Sequence, residues 1–282
     1  MGDIFNSLFI QPVTNALVFF YDIFSQLGLP GAFGFAIIAV TVLLRALMNP
    51  FFKQQLETAH KMRKIKPHLD ALQKKHKKDP ATLQQEQMKL YKEHRVNPVG
   101  GCLFAIIQIP VIWGLYSTLQ LFLTNGANGK VIEEINDRLY SSALQITSIE
   151  PSFFVYNLAL TPAQGANWFY YIVPVLTGIL QFYQTKYTMP QLQEESAKQE
   201  EKMDLKNSNK EKETEKEKSV STSEEFQKAM NMQMKYIFPV MIGYFSYTLP
   251  TGMSLYWNAF SLFSIIVHLV DERKKKKLEG TV

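Results

Sequence analysis

Arg45 is the residue whose chemistry most needs explaining. Residues 31–52 read GAFGFAIIAVTVLLRALMNPFF, a run long enough to cross a bilayer, and Arg45 is its only charge. An unpaired guanidinium at bilayer depth costs at least ~2.5–3.5 kcal/mol on insertion scales. Such a group either snorkels toward the headgroups or faces a polar interior. Thr41 lies one turn before it on the same helical face, and Asn49 lies one turn after. Other apolar stretches carry polar groups of their own: Gln108 in one, Gln181 and Gln184 in another, Asn258 and Ser261 on a shared face of the last. Each alone could be hydrogen-bonding glue between helices. Several polar faces from different helices, one bearing a permanent cation, fit a shared hydrated cavity better. The chemistry open to such a set is binding and electrostatic attraction.

Bond-making chemistry has no recognisable carrier. No Ser-His-Asp order, phosphate-cradling glycine loop or zinc spacing is present, so no catalytic residue, metal or cofactor is expected and the chain is read as a non-enzyme. His60, His68 and His76 recur at eight-residue steps, whereas metal ligands would stand one turn apart beside a carboxylate. They read as part of a solvated basic face. Cys102 is the single cysteine, which excludes an internal disulfide. Gly28, Gly31 and Gly34 are taken to mark the loop into the first span.

These residues must be positioned by long helices. The 282-residue chain is 46% hydrophobic, and its mean hydropathy of −0.09 averages over sharply segregated blocks. The pattern predicts an all-α integral membrane protein with five transmembrane helices sharing that hydrated cavity. Residues 1–30 place apolar side chains at three- and four-residue steps opposite Asp3, Asn6, Gln11, Asn15, Asp22 and Gln26, an external amphipathic helix lying in the interface. They contain no Lys or Arg and no small-residue cleavage site follows, so a cleavable signal peptide is not expected. Spans are expected at 31–52, 98–123, 167–188, 231–249 and 252–270, the last two separated by the breaker Leu249-Pro250-Thr251-Gly252.

Between them, residues 53–97 form a cytoplasmic helical hairpin, with Asp79 and Pro80 as the N-cap and first-turn proline of its second helix. Residues 124–166 are an external segment. Residues 189–230 are a charged, low-complexity cytoplasmic loop that cannot fill a core, and 271–282 form a basic cytoplasmic tail. Twelve Lys and Arg lie between Lys53 and Asn97, against only Lys130 and Arg138 between the second and third spans. The positive-inside rule therefore puts the N-terminus outside and the C-terminus in the cytoplasm. The basic hairpin could meet RNA or anionic headgroups, and composition does not separate the two.

Several segments carry a specific resemblance. They are TVLLRALMNPFFKQQ at 41–55, KMRKIKPHLDALQKKHKKDP at 61–80, MKLYKEHRVNPVGGCLFAIIQIPVIWGLY at 88–116, YYIVPVLTGILQFYQTK at 170–186 and TLPTGMSLYW at 248–257. Together they resemble the YidC-type membrane protein insertases and their Oxa-type and Alb-type relatives. The resemblance implies a five-helix core enclosing a groove open to the cytoplasm and to lipid, in a bacterial cell membrane. It places the groove arginine at Arg45, the threonine before it at Thr41, the second-span glutamine at Gln108 and a last-span aromatic at Trp257. It also implies nascent membrane proteins and the lipid bilayer as partners, with the ribosome and the Sec translocon as further candidates and no specific nucleic acid. A hairpin such as 53–97 would recruit.

Three departures stand out. The usual asparagine of the last span is Ser261, with Asn258 one turn earlier. Asn157-Leu158 replaces an acidic residue before the third span, and the 190–229 loop is longer than usual. Two competing functions are a translocon-associated assembly chaperone without independent insertion, and an anion transporter or channel. The latter would be expected to show an internal repeat, and none is visible.

Overall fold

A computed structural model describes residues 2–76, 79–96, 99–124, 129–165, 167–188 and 232–279. After helical turns at Gly2–Phe5 and Asn6–Ile10, the elements are α1 (Gln11–Gln26), α2 (Ala32–Lys75), α3 (Pro80–Glu93), α4 (Val99–Thr124), α5 (Gly129–Asp137), β1 (Ser152–Phe153), β2 (Tyr156–Asn157), α6 (Ile172–Thr188), α7 (Phe238–Thr248) and α8 (Thr251–Glu279). They divide between two units. One comprises Met1–Asn49, Ala105–Gln184 and Pro239–Val282, and the other Pro50–Phe104 and Thr185–Phe238. The 189–230 loop lies outside the described residues.

Three helical stretches among the described residues are long and apolar enough to cross a membrane: Asn6–Gln26, Ala32–Gln54 and Thr251–Lys274. Ile109–Leu123 is a shorter apolar helix. The first of these, expected as an external interfacial helix, meets the length and hydropathy of a span by composition alone. Its inner side is also well packed: Leu17 and Val18 are fully buried in a core with Phe33, Ile37, Leu115 and Leu119. The Thr14 and Thr118 hydroxyls meet there at 3.2 Å. The polar residues on its flank bind residues 138–150. Asn15 donates to the Arg138 carbonyl at 2.9 Å and accepts from Tyr140 N–H at 2.7 Å, and Tyr21 Oη accepts from Glu150 N–H at 3.1 Å.

The turn out of α1 explains one of the early glycines. Gly28 takes φ +67°, and the N–H groups of Gly28 and Leu29 return to the Ser25 and Phe24 carbonyls, closing the helix end with a left-handed residue. Gly34 does something else. It is already inside α2, and a Cβ there would overlap the Phe153 ring, so this glycine admits an aromatic from the β-hairpin. That hairpin is a two-residue turn with Ser152 opposite Asn157 and Phe153 opposite Tyr156.

Residues 129–160 are organised by side chains replacing a regular ladder. Asn136 both donates to the Ile146 carbonyl and accepts from its N–H, each at 3.0 Å. The first N–H groups of α8 are satisfied here as well: Thr251 N–H binds the Leu160 carbonyl and Gly252 N–H the Leu158 carbonyl, both at 2.9 Å. Many large hydrophobic side chains stay exposed on α6 to α8, among them Val175, Ile179, Val240, Tyr244 and Ile266. Contiguous apolar surface on helices of this kind faces lipid.

The second unit has a small core of Ile65, Leu69 and Val96, with Met62, Leu90 and Tyr91 packed against it. This is the helical hairpin in outline. Asp79 caps α3 by accepting from Thr82 N–H at 3.1 Å, with Pro80 in the first turn. The two Thr82 hydrogen bonds hold the Asp79 carboxyl below its ordinary pKa. Of the histidines in the basic stretch, His68 lies beside His94, with ring centroids 6.1 Å apart.

Candidate functional site

The polar residues of the first unit fall into stripes on three helices. On α2, Thr41 and Arg45 are one turn apart and both buried, at 1% and 4% exposure. Thr41 satisfies its own hydroxyl by donating to the Ile37 carbonyl at 2.6 Å. On α6, Thr177, Gln181 and Gln184 repeat at helical spacing, and Thr177 and Gln181 are buried. On α8 the stripe is longest: Ser254, Asn258, Ser261, Ser264 and His268 follow at steps of four, three, three and four residues. All of these except the half-buried Asn258 are buried. From Ser254 to His268 that face runs for about 21 Å at the helical rise of about 1.5 Å per residue.

The stripes are linked. Ser261 Oγ donates to Gln184 Oε1 at 2.6 Å, joining α8 to α6. The Arg45 guanidinium lies over the ring of Phe260, its carbon 3.6 Å from the centroid, joining α2 to α8. Tyr256 packs against that ring at 5.9 Å between centroids. Asn258 Oδ1 and Asn49 Oδ1 are buried and accept no hydrogen bond among the described residues. At the far end of the α8 stripe, His268 Nε2 is 3.3 Å from Glu272 Oε1.

The expected site residues are therefore placed unevenly. Arg45, Ser261, Gln181 and Thr41 are buried polar groups on helix faces, and Asn258 lies on the α8 stripe beside them. Ser261 and Asn258 differ in their bonding: Ser261 is engaged across helices, whereas Asn258 Oδ1 has no hydrogen-bond partner among the described residues. Trp257 is half-buried against the apolar core. Gln108 lies on α4, and its side chain is outside the described set. Phe260 was not among the expected residues, nor were Ser254, Ser264 and His268. The periodicity of the α8 stripe could have disclosed the last three. Nothing in the local sequence marks Phe260, because its role depends on the packing of two helices 215 positions apart. Among the described residues no three His, Cys, Asp or Glu side chains gather as a metal-binding group.

Such an arrangement can bind polar and charged groups. Long apolar helices that bury rows of hydroxyl and amide groups around a permanent cation define an all-α integral membrane protein with a polar interior. The chain belongs to the 60Kd inner membrane protein family, whose model matches residues 24–278. It is similar to proteins named membrane protein insertase YidC. With that of Alkalihalophilus pseudofirmus it shares 31% identity over 273 residues, covering 93% of this chain and 80% of the relative. With that of Fusobacterium nucleatum subsp. nucleatum it shares 28% over 236 residues, 84% of each chain. The relative from Caldanaerobacter subterraneus subsp. tengcongensis is 25% identical over 250 residues, 89% of this chain and 90% of its own.

Proposed function

We propose that this chain inserts newly made membrane proteins into the lipid bilayer and assists their folding. The observation that carries the reading is Arg45, a buried cation among the polar stripes of α2, α6 and α8, in a family whose relatives bear the insertase name. Arg45, Thr41, Gln108, Gln181, Trp257, Asn258 and Ser261 line the path of the passing chain. The polar end of a nascent segment occupies the hydrophilic faces while its apolar part leaves sideways into lipid. A polar lining shortens the distance over which a hydrophilic tail meets low dielectric, and a fixed cation attracts acidic residues on that tail. No bond is made or broken, so the protein acts without catalysis in the enzymatic sense.

Five spans are proposed, α1 lying externally against residues 138–150, with the N-terminus outside and the C-terminus in the cytoplasm. The twelve basic residues of 53–97 and the run Arg273 to Lys277 support that orientation. The hairpin recruits clients, and ribosome or Sec translocon contacts belong to the same proposal. The test is reconstitution of the protein alone in liposomes with a small two-span substrate bearing a short acidic tail. Insertion, read by protease protection, is expected to exceed that of protein-free liposomes. Equal protection in both would refute an insertase and leave only a holding role.

A further inference from the structure

The contact between Arg45 and Phe260 goes further than a packing detail. A guanidinium is flat, and all five of its N–H donors lie in the plane. A partner on its face and partners around its edge therefore do not compete. Phe260 takes the face, with its ring centroid 3.6 Å from Cζ. The ring is itself packed against the buried Tyr256, with centroids 5.9 Å apart. Arg45 is only 4% exposed, and burial is the setting in which attraction to an aromatic face is largest. An arginine on a flexible four-atom stem would otherwise sample many orientations, and each orientation lost on binding would weaken its grip on a ligand.

We propose that Phe260 is a positioning residue that sets the preference of this site for acidic substrates, holding the Arg45 guanidinium by its face so that a carboxylate of the passing chain meets its edge. The inference rests on the insertase reading above and names a determinant of client choice within it. Phe260 touches Arg45, and the substrate carboxylate touches Arg45 from the rim. The specificity that results is for short acidic tails over neutral ones of the same length.

The experiment is liposome insertion with paired substrates that differ only in an acidic or a neutral tail, read as the ratio of the two. Phe260 is replaced by its mono-, di- and trifluorinated analogues, which keep the ring shape while progressively weakening its negative face. The ratio is expected to fall stepwise along the series. Phe260→Leu should lower it about three- to tenfold, while Phe260→Tyr, which keeps a π-face, retains it. A flat ratio along the fluorine series, or an equal loss for both substrates in Phe260→Leu, overturns the positioning role and leaves the ring as packing. If wild-type protein inserts neither substrate better than protein-free liposomes, the insertase reading itself falls and this inference falls with it. A wild type that prefers the acidic tail with an unresponsive fluorine series sinks this inference alone.

Discussion

Removing the charge of Arg45 while keeping its length is the most direct test of the site. Arg45→Gln leaves a polar head on a similar stem and deletes the cation. A unit charge pair 4 Å apart is worth about 1 kcal/mol in water and about 4 kcal/mol at an effective dielectric near 20. With Arg45 only 4% exposed, the second figure is the relevant ceiling. Desolvating the incoming carboxylate subtracts from it. A net of about 1–2 kcal/mol remains, which corresponds to about a tenfold loss in the insertion of an acidic-tailed substrate. Arg45→Lys keeps the charge but not the planar fork, so it should fall between the two. The assay is protease protection in liposomes with acidic, neutral and basic tails of equal length. The neutral tail is the internal control for damage to the fold. An equal loss for all three tails in Arg45→Gln would refute electrostatic attraction, and no loss for any would make Arg45 a structural residue.

Gly34→Leu would drive a side chain into the Phe153 ring at a cost of about 1–3 kcal/mol. A thermal melt in detergent should show the drop, and Phe153→Ala in the same chain should restore part of it. Thr14→Val removes one hydroxyl of the buried pair with Thr118 while Thr118 keeps its bond to the Gly114 carbonyl, so the loss should be about 1 kcal/mol. A melt indistinguishable from wild type would mean the pair contributes nothing. The Asp79 cap makes the start of α3 acid-sensitive. Its folded pKa is depressed, so the stabilisation is full above the ordinary carboxylate pKa and is lost as pH falls through the lower, folded value. Amide exchange over residues 80–93, corrected for intrinsic rate, should rise below about pH 4, and Asp79→Asn should blunt that rise.

Helices were the most legible part of this sequence, because long uncharged runs have few alternatives at bilayer depth. The hairpin cap was legible for a similar reason: Asp79-Pro80 states a helix start within two residues. Arg45 and Thr41 could be paired from spacing alone, since both sit on one helix. What the sequence hides is everything that depends on relative rotation between helices. Ser261 meeting Gln184 and Phe260 meeting Arg45 are matters of register across the bundle, and each residue viewed alone resembles glue or core. Asn15 was read as one polar residue of an amphipathic face, whereas its amide pairs with the backbone at 138 and 140. The early glycines looked alike in the chain. Only the position of Phe153 separates Gly34, a seat for a ring, from Gly28, a turn.

Thr177, Ser246 and Ser254 form a chain of hydroxyls across α6, α7 and α8, with oxygens 3.1 and 2.7 Å apart. Beside them Gly178 and Gly243 let two backbones touch, so that a Cβ on Gly243 would stand 3.2 Å from the Pro174 carbonyl oxygen. Three helices joined in this way behave like a fan riveted near one end. Sliding at the rivet would break hydrogen bonds that have no solvent to replace them, whereas rocking about it would break none. A tilt of about 5° there moves the other end of the α8 stripe, about 21 Å away, by about 2 Å. That travel is comparable with the size of a small side-chain group, while the riveted end hardly moves.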